Sequence, residues 1–435
     1  MYRWISRLRY SGQMGNTSRT EIAFHDALQR IVSQCDPLER ITVSLEDAVG
    51  LCPIADLSAR TDSPPFRTSA MDGYGLRSQD AIGASGDHPV RLTVIGSIAA
   101  GKASASSVGP GECIRIMTGG RCPVEIDAVA PLETVEESGT TVTLTAPLRS
   151  GEHIRPAAED FATGTRLIAA GTVLDPAAVG LLASAGHSSV NVHPRPRVAL
   201  LTVGDELIAP GSTRSEATIW DSNSVMVGAL IGTFGGVLAG HIRVVDNTTS
   251  VRGAIVSAIE QNRADLIVTV GGASRGDHDV VAEVAQLLDH ATPFDVRMKP
   301  GRPLLIAKHL GLPIVGLPGN PAAAFVSAWQ FVRPAIRRLA GDRNLYLPEL
   351  TARSLIDLPA SGARHVFHRA ALRFDDGGAL VALAGSQSSA SHFTLARTNA
   401  FLVQPEETGP IATGDSVPVQ LLADIGGAVG LTGRL

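Results

Sequence analysis

Asp-Leu-Ile-Val-Thr-Val-Gly-Gly-Ala-Ser-Arg-Gly-Asp-His-Asp-Val-Val-Ala, residues 265–282, is the stretch on which the fold turns. From Asp265 to Val270 every residue except the Asp and the Thr is apolar, which predicts a strand covered on both faces by helices. Gly271 and Gly272 lack a Cβ, so the backbone there can turn tightly and approach a ligand. Asp277, His278 and Asp279 then crowd ionisable groups just past the carboxyl end of the strand, where open α/β sheets bind their ligands.

Outward from this stretch, strand and helix patterns alternate from Pro196 onward. Val198 to Val203 reads as a strand, a helix begins near Asn223, Val237 to Val245 reads as a second strand, and Ser250 to Gln261 as a second helix. A further helix is expected from Asp279, and Leu312 to Val315 reads as a strand leading into a helix near Pro321. This predicts a three-layer α/β domain. Its strand ends carry the polar residues: Gly204-Asp205-Glu206, Asp246-Asn247 and the glycine pair. Met298-Lys299-Pro300-Gly301-Arg302-Pro303 adds two cations held by prolines. Gly316-Leu317-Pro318-Gly319-Asn320-Pro321 turns into a helix whose unpaired first N–H groups would make an anion site.

The flanks differ in character. Residues 1–19 contain Arg3, Arg7, Arg9 and Arg19 without a continuous apolar core, so they read as a disordered extension rather than a secretory signal, with Met14 an alternative start. Residues 20–40 hold a helix, with Phe24, Leu28 and Ile31 at helical spacing and Thr20 as its N-cap. Residues 41–50 and 147–193 are expected to form a connecting domain, 51–146 a small β domain with strands at Val90 to Ile95 and Thr140 to Leu144, 194–345 the α/β domain, and 346–424 a C-terminal β domain. Gly151 to Asp160 reads as an exposed charged loop.

At 435 residues the chain exceeds what one core supports, and 44% hydrophobic residues suffice for several. A formal charge of −5 gives no general attraction to nucleic acid or to an anionic membrane, and aromatics at 4% leave little for stacking on bases. The apolar stretch from Gly228 to Gly240 is too short to cross a bilayer. Cys35, Cys52, Cys113 and Cys122 have no metal-ligand spacing, which points to buried thiols in a reducing, cytoplasmic compartment.

The strand ends and loops of the α/β region gather Asp205, Glu206, Asp246, Asp277, Asp279, Lys299 and Arg302 beside two Gly-rich turns. Carboxylates at this density suit Mg²⁺, a hard cation that bridges to substrate phosphates, while the two cations take the remaining phosphate charge. No GxxxxGK[ST] loop, GxGxxG turn, nucleophile elbow or HExxH is present, so ordinary kinase, dehydrogenase, hydrolase and zinc protease chemistries lack their motifs.

Six motifs in order resemble the molybdopterin molybdenumtransferases, the MoeA and gephyrin E-domain family. They are Ser-Ala-Met-Asp-Gly-Tyr (69–74), Arg-Ile-Met-Thr-Gly (115–119), Gly-Asp-Glu-Leu (204–207), Gly-Gly-Ala-Ser-Arg-Gly-Asp-His-Asp (271–279), Lys-Pro-Gly-Arg-Pro (299–303) and Gly-Leu-Pro-Gly-Asn-Pro (316–321). The resemblance implies a multidomain protein with a MogA-like molybdopterin-binding α/β domain flanked by β domains. It implies an enzyme of molybdenum cofactor biosynthesis that inserts molybdate into adenylylated molybdopterin, releases AMP with Mg²⁺, and works as a homodimer with its site shared between subunits. Asp72, Glu206, Asp246, Asp279, Lys299 and Arg302 match catalytic positions, with Asp246 and Asp279 on the metal. Thr118, Arg155, Asp160, Gly271, Gly272, Ser274, Asp277, Pro318, Gly319, Asn320, Arg369 and Ser386 match substrate-binding positions.

The chain departs from the family pattern at Ala273, Arg275, Val203, Arg302, Ala158, which stands for a Gly, and the loop Ser386 to Ser391. These departures leave as one alternative a catalytically altered cofactor-binding or scaffold paralogue; a molybdopterin adenylyltransferase, which resembles the α/β domain alone, is the other.

Overall fold

The computed structural model describes residues 19–99, 101, 107–261, 263–272, 283–284 and 290–422. The expected N-terminal extension, the expected helix start at Asp279 and the site positions Ala273, Ser274, Arg275, Asp277 and Asp279 lie outside the described residues. Contacts divide the chain into two compact units. One runs to Ile41 and resumes at His193, and the other is Thr42–Val192.

The first unit is built on a seven-stranded sheet. In spatial order its strands are Thr20–Ile22, His290–Val296, Pro303–His309, Leu312–Leu317, Leu266–Gly271, Arg197–Val203 and Val237–Val244. Leu266–Gly271 lies inside the sheet, parallel to both of its neighbours, as a buried parallel strand should. Alternate residues face opposite cores. Leu266, Val268 and Val270 join one cluster with Phe331 and Ile336, while Ile267 packs with Ala254, Ile255 and Ala258 of the helix Thr248–Glu260. The helix Ser222–Thr233 follows the strand Arg197–Val203, and Asn247 caps Thr248–Glu260 by accepting from the Ser250 N–H at 2.8 Å.

Two expectations need correction. Thr20 does not cap the first helix: Thr20–Ile22 is a strand parallel to His290–Val296, with Thr20 opposite Phe294. The helix begins at Phe24 after Ala23, which makes no side-chain cap; Thr20 is drawn into the sheet and lies too far before the first turn to cap it. The prolines around 300 do not mark loops alone. Pro303 opens the strand Pro303–His309, which runs antiparallel to both His290–Val296 and Leu312–Leu317. Proline is tolerated at a strand's first residue because only one donor is lost there.

In the C-terminal part, His365–Asp375, Gly378–Leu383, Glu349–Ser354, Ser416–Leu421 and Ala400–Gln404 form a sheet that closes on itself, because His365–Asp375 pairs with both Gly378–Leu383 and Ala400–Gln404. Closure removes two sheet edges. The short strand Met298–Lys299 adds to this barrel in register with His365 and Val366. Phe367, Phe401, Val403 and Leu422 share the α/β region's larger core with Phe24 and Phe331. Phe24 lies 4.8 Å from the buried His365 ring, whose pKa burial lowers to about 4, with His25 adding a smaller repulsion.

The second unit contains a six-stranded sheet ordered Val135–Ser138, Thr141–Leu144, Val90–Ile98, Glu112–Ile116, Gly73–Leu76, Ala128–Pro131. A separate core of Leu45, Ala48, Leu51, Leu174, Leu182, Val190 and Val192 packs around the helix Pro176–Ser184. Gly151 to Asp160 is not wholly a loop: Ile154–Arg155 pairs with Thr68–Ser69. All four cysteines are buried free thiols, and burial pushes Cys35 and Cys113 up to about 12. Among the described residues no helix is long and apolar enough to cross a membrane.

Candidate active site

In the first unit the expected loops converge at the carboxyl end of the parallel strands. Gly271 and Gly272 both hold positive φ, 90° and 67°, and a Cβ on Gly271 would strike the Val203 carbonyl oxygen. The turn Pro318-Gly319-Asn320 lies beside this pair: a Cβ built on Gly319 would stand 3.4 Å from the Gly271 Cα. Pro318 is buried, while Gly319 and Asn320 are exposed.

The neighbouring strand ends bring carboxylates together. The Asp246 N–H donates to Asp205 Oδ1 at 2.9 Å, which joins the turns after Arg197–Val203 and Val237–Val244. Glu206 folds back over Gly204, so that a Cβ there would meet its Oε2 at 2.7 Å. Asp205, Glu206 and Asp246 are exposed. Among the described residues no group of three or more His, Cys, Asp or Glu is arranged to hold a metal ion. Asp246 is nevertheless an exposed oxygen donor next to a second carboxylate, the donor chemistry that Mg²⁺ takes.

The two expected cations part company. Lys299 is exposed in the barrel's added strand and acts electrostatically on His368, together with Arg369. Burial is the first cause of that histidine's lowered pKa; its hydrogen bond to Gln404 Oε1, which accepts from Nε2 at 3.1 Å, opposes it, and the two cations add to it. Arg302 instead turns to Asp295 at 2.9 Å, with Glu21 at 4.0 Å. Its charge is drawn to acids that a reading of local spacing cannot weigh.

Arg369 is buried, and its guanidinium donates to the carbonyls of Ser388 at 3.2 Å and Ser386 at 3.5 Å. Gln387 clamps the same residue's backbone, accepting from the Arg369 N–H at 3.0 Å and donating to its carbonyl at 3.1 Å. The loop so held reaches the helix Pro321–Ser327, where the Ser389 carbonyl accepts from the Ala322 N–H at 3.0 Å. The expectation of unpaired N–H groups at that helix start therefore fails at Ala322, because a distant loop supplies the acceptor. Ser386 itself is exposed.

Sequence reading missed the Asp221-Ser222-Asn223 segment at the start of the helix Ser222–Thr233. Asp221 is buried, caps the helix through the Ser224 N–H at 2.9 Å, and accepts from Thr202 Oγ1 at 2.6 Å. Arg243 at 3.4 Å and His241 at 3.5 Å also face it. Burial pushes its pKa up, but the bonds from His241, Thr202 and Ser224 outweigh burial and hold it well below the usual carboxylate range. An Asp one position before an apolar helix is the signal that could have found it. Asn223 Nδ2 donates to the Gly319 carbonyl at 2.7 Å, and Ser222 Oγ meets His392 Nε2 at 3.1 Å.

In the second unit the two motif loops are joined. Asp72 Oδ1 accepts from both the Thr118 N–H and its hydroxyl, each at 2.7 Å. The Thr118 N–H, then its hydroxyl, lower the Asp72 pKa. The Gly119 N–H donates to the Ser69 carbonyl at 2.9 Å and the Ser69 N–H to the Gly120 carbonyl at 3.0 Å, so the loops are zipped by backbone as well. Arg155 is exposed opposite Thr68, and the exposed Asp160 donates its N–H to the Ser63 carbonyl at 2.9 Å. Ala158, between them, holds a left-handed φ of 60°.

Three family models match the chain in order: the MoeA N-terminal region (domain I and II) over residues 22–186, a probable molybdopterin binding domain over 199–338, and the MoeA C-terminal region (domain IV) over 351–422. Molybdopterin molybdenumtransferase 2 of Mycobacterium tuberculosis is 35% identical over 401 residues, covering 90% of this chain and 97% of the relative. The molybdopterin molybdenumtransferase of Staphylococcus aureus is 31% identical over 404 residues, covering 93% and 96%. The crystal structure of the molybdopterin biosynthesis moeA protein from Pyrococcus horikoshii OT3 superposes with a TM-score of 0.77 at 26% identity, over 92% of this chain and 100% of that one. With motif order, multidomain architecture and near full-length coverage in agreement, the chain belongs to the molybdopterin molybdenumtransferase family.

Proposed function

We propose that this chain inserts molybdate at the dithiolene of adenylylated molybdopterin and releases AMP. The observation that supports this best is the meeting of the Gly271–Gly272 and Pro318–Asn320 turns beside the Asp205/Asp246 and Glu206 carboxylates. Backbone amides and glycines free of Cβ admit a phosphate closely, and carboxylates at the rim place a cation against it. Asp246 and Asp279 would hold Mg²⁺, which supplies neutralising charge to the phosphates when bound. Lys299 takes remaining anionic charge; Arg302 serves there only if it leaves Asp295. Gly271, Gly272, Ser274, Asp277, Pro318, Gly319 and Asn320 receive the nucleotide and pterin, while Arg369 and Ser386 take part through the loop docked on the helix Pro321–Ser327.

In this reading the protein is a cytoplasmic homodimer, in which the Asp72–Thr118 loops with Arg155 and Asp160 complete the site across the subunits. Asp72 is an anion there, since two hydrogen bonds from Thr118 favour its charged form. Matches on both sides of the α/β region favour the transferase over an adenylyltransferase.

The test incubates the protein with adenylylated molybdopterin, molybdate and Mg²⁺, and measures AMP together with reconstitution of a cofactor-free molybdoenzyme. AMP release that stops with a chelator and returns with Mg²⁺ is the expected result. Neither AMP nor active cofactor at saturating substrate would sink the reading.

A further inference from the structure

The first turn of the helix Ser222–Thr233 joins three parts of the chain through three successive residues. Asp221, buried beneath it, ties the helix start to the strand Arg197–Val203 through Thr202 at 2.6 Å. Ser222 Oγ meets His392 Nε2, at the end of the loop from the C-terminal barrel, at 3.1 Å. Asn223 Nδ2 donates to the Gly319 carbonyl at 2.7 Å. That carbonyl belongs to the turn whose glycine stands against Gly271, so the amide holds one of the two turns in place beside the other.

The sense of this amide is fixed. A carbonyl only accepts, so Nδ2 must face Gly319 and Oδ1 must point away. Asn223 Oδ1 is buried and has no hydrogen-bond partner among the described residues, an arrangement that costs stability. Nothing in the helix requires it, since Asp221 already caps the helix through the Ser224 N–H. The side chain is therefore best explained by its donor.

The geometry points to Asn223 as a positioning residue: it holds the Gly319 turn at the spacing from Gly271 that the phosphate-linked nucleotide and pterin require. Asp221 anchors it, and its effect falls on that substrate rather than on the oxyanion, because the turn it holds is the one assigned above to the nucleotide and pterin. This rests on the function proposed above, and the wild-type assay tests that reading separately.

The experiment measures AMP release by the full chain with adenylylated molybdopterin and molybdate varied in turn. Asn223→Asp keeps shape but sets a carboxylate against the Gly319 carbonyl. We expect the KM for adenylylated molybdopterin to rise roughly tenfold, as loss of a hydrogen bond and a new repulsion imply, with kcat and the molybdate KM within about twofold. Asn223→Ser, uncharged and too short to reach, should give the same split if the Asp variant folds poorly. With an active wild type, unchanged KM in both variants overturns the assignment. So does a parallel fall in kcat, both affinities and melting temperature, which would mark a structural role alone. An inactive wild type with normal folding would instead overturn the proposed function, and the assignment with it.

Discussion

Gly319 and Gly271 come from turns 48 residues apart in number but face each other so closely that a Cβ on Gly319 would stand 3.4 Å from the Gly271 Cα. The two glycines are needed for different reasons. Gly271 has φ 90° and a carbonyl where its side chain would go, whereas a Cβ at Gly319 finds ordinary contact space. Gly271→Ala should lower unfolding stability by about 2 kcal/mol or more. Gly319→Ala should shift the melting temperature by no more than about 2 °C while raising the KM for adenylylated molybdopterin several-fold. Denaturant unfolding and steady-state kinetics of the two variants check this; equal loss of stability in both would refute it.

Asp221→Ala is expected to destabilise the protein by about 3 kcal/mol, the low end for breaking a buried charge pair, since Arg243 keeps some solvent. Asp221 has a depressed folded-state pKa, so its contribution is full above the ordinary carboxylate range and is lost as pH falls below it. The difference between variant and wild type, measured by chemical unfolding at neutral pH and again in acid, should shrink in acid.

His365 works in the other pH range. Its folded pKa of about 4 lies below the usual histidine value, so the unfolded chain binds the extra proton first. Stability is fully present above about pH 6.5 and falls as pH drops from there toward the folded-state pKa, by as much as about 3 kcal/mol. His365→Leu should flatten that slope in calorimetry between these limits. A variant with the wild-type slope would show that another group is responsible.

Thr118→Val removes one of the two hydrogen bonds to Asp72 Oδ1. The Asp72 pKa should move back toward the ordinary carboxylate value, as followed by NMR of the labelled carboxyl group, because a bond to the charged form is lost. No movement would mean that the Thr118 N–H alone sets it.

Ala158→Gly should raise stability by about 1 kcal/mol, the cost of a left-handed backbone at a residue with a Cβ. The position is one where the chain departs from the family's Gly, and a melting temperature unchanged or lowered would show the strain is absent.

The sequence by itself determined the strand Leu266–Gly271, the glycine pair and the division of its residues between two cores, because an apolar run flanked by glycine encodes these locally. It also determined which loops would bear polar groups. Only the tertiary structure decided their partners. Arg302 goes to Asp295, Lys299 joins the barrel's sheet, Ser389 takes the Ala322 N–H, and Asn223 takes the Gly319 carbonyl. Each of these is a choice among acceptors distant along the chain or on another strand, made by burial and sheet pairing rather than by local propensity. Composition and spacing name the groups that can bond, and packing selects which of them do.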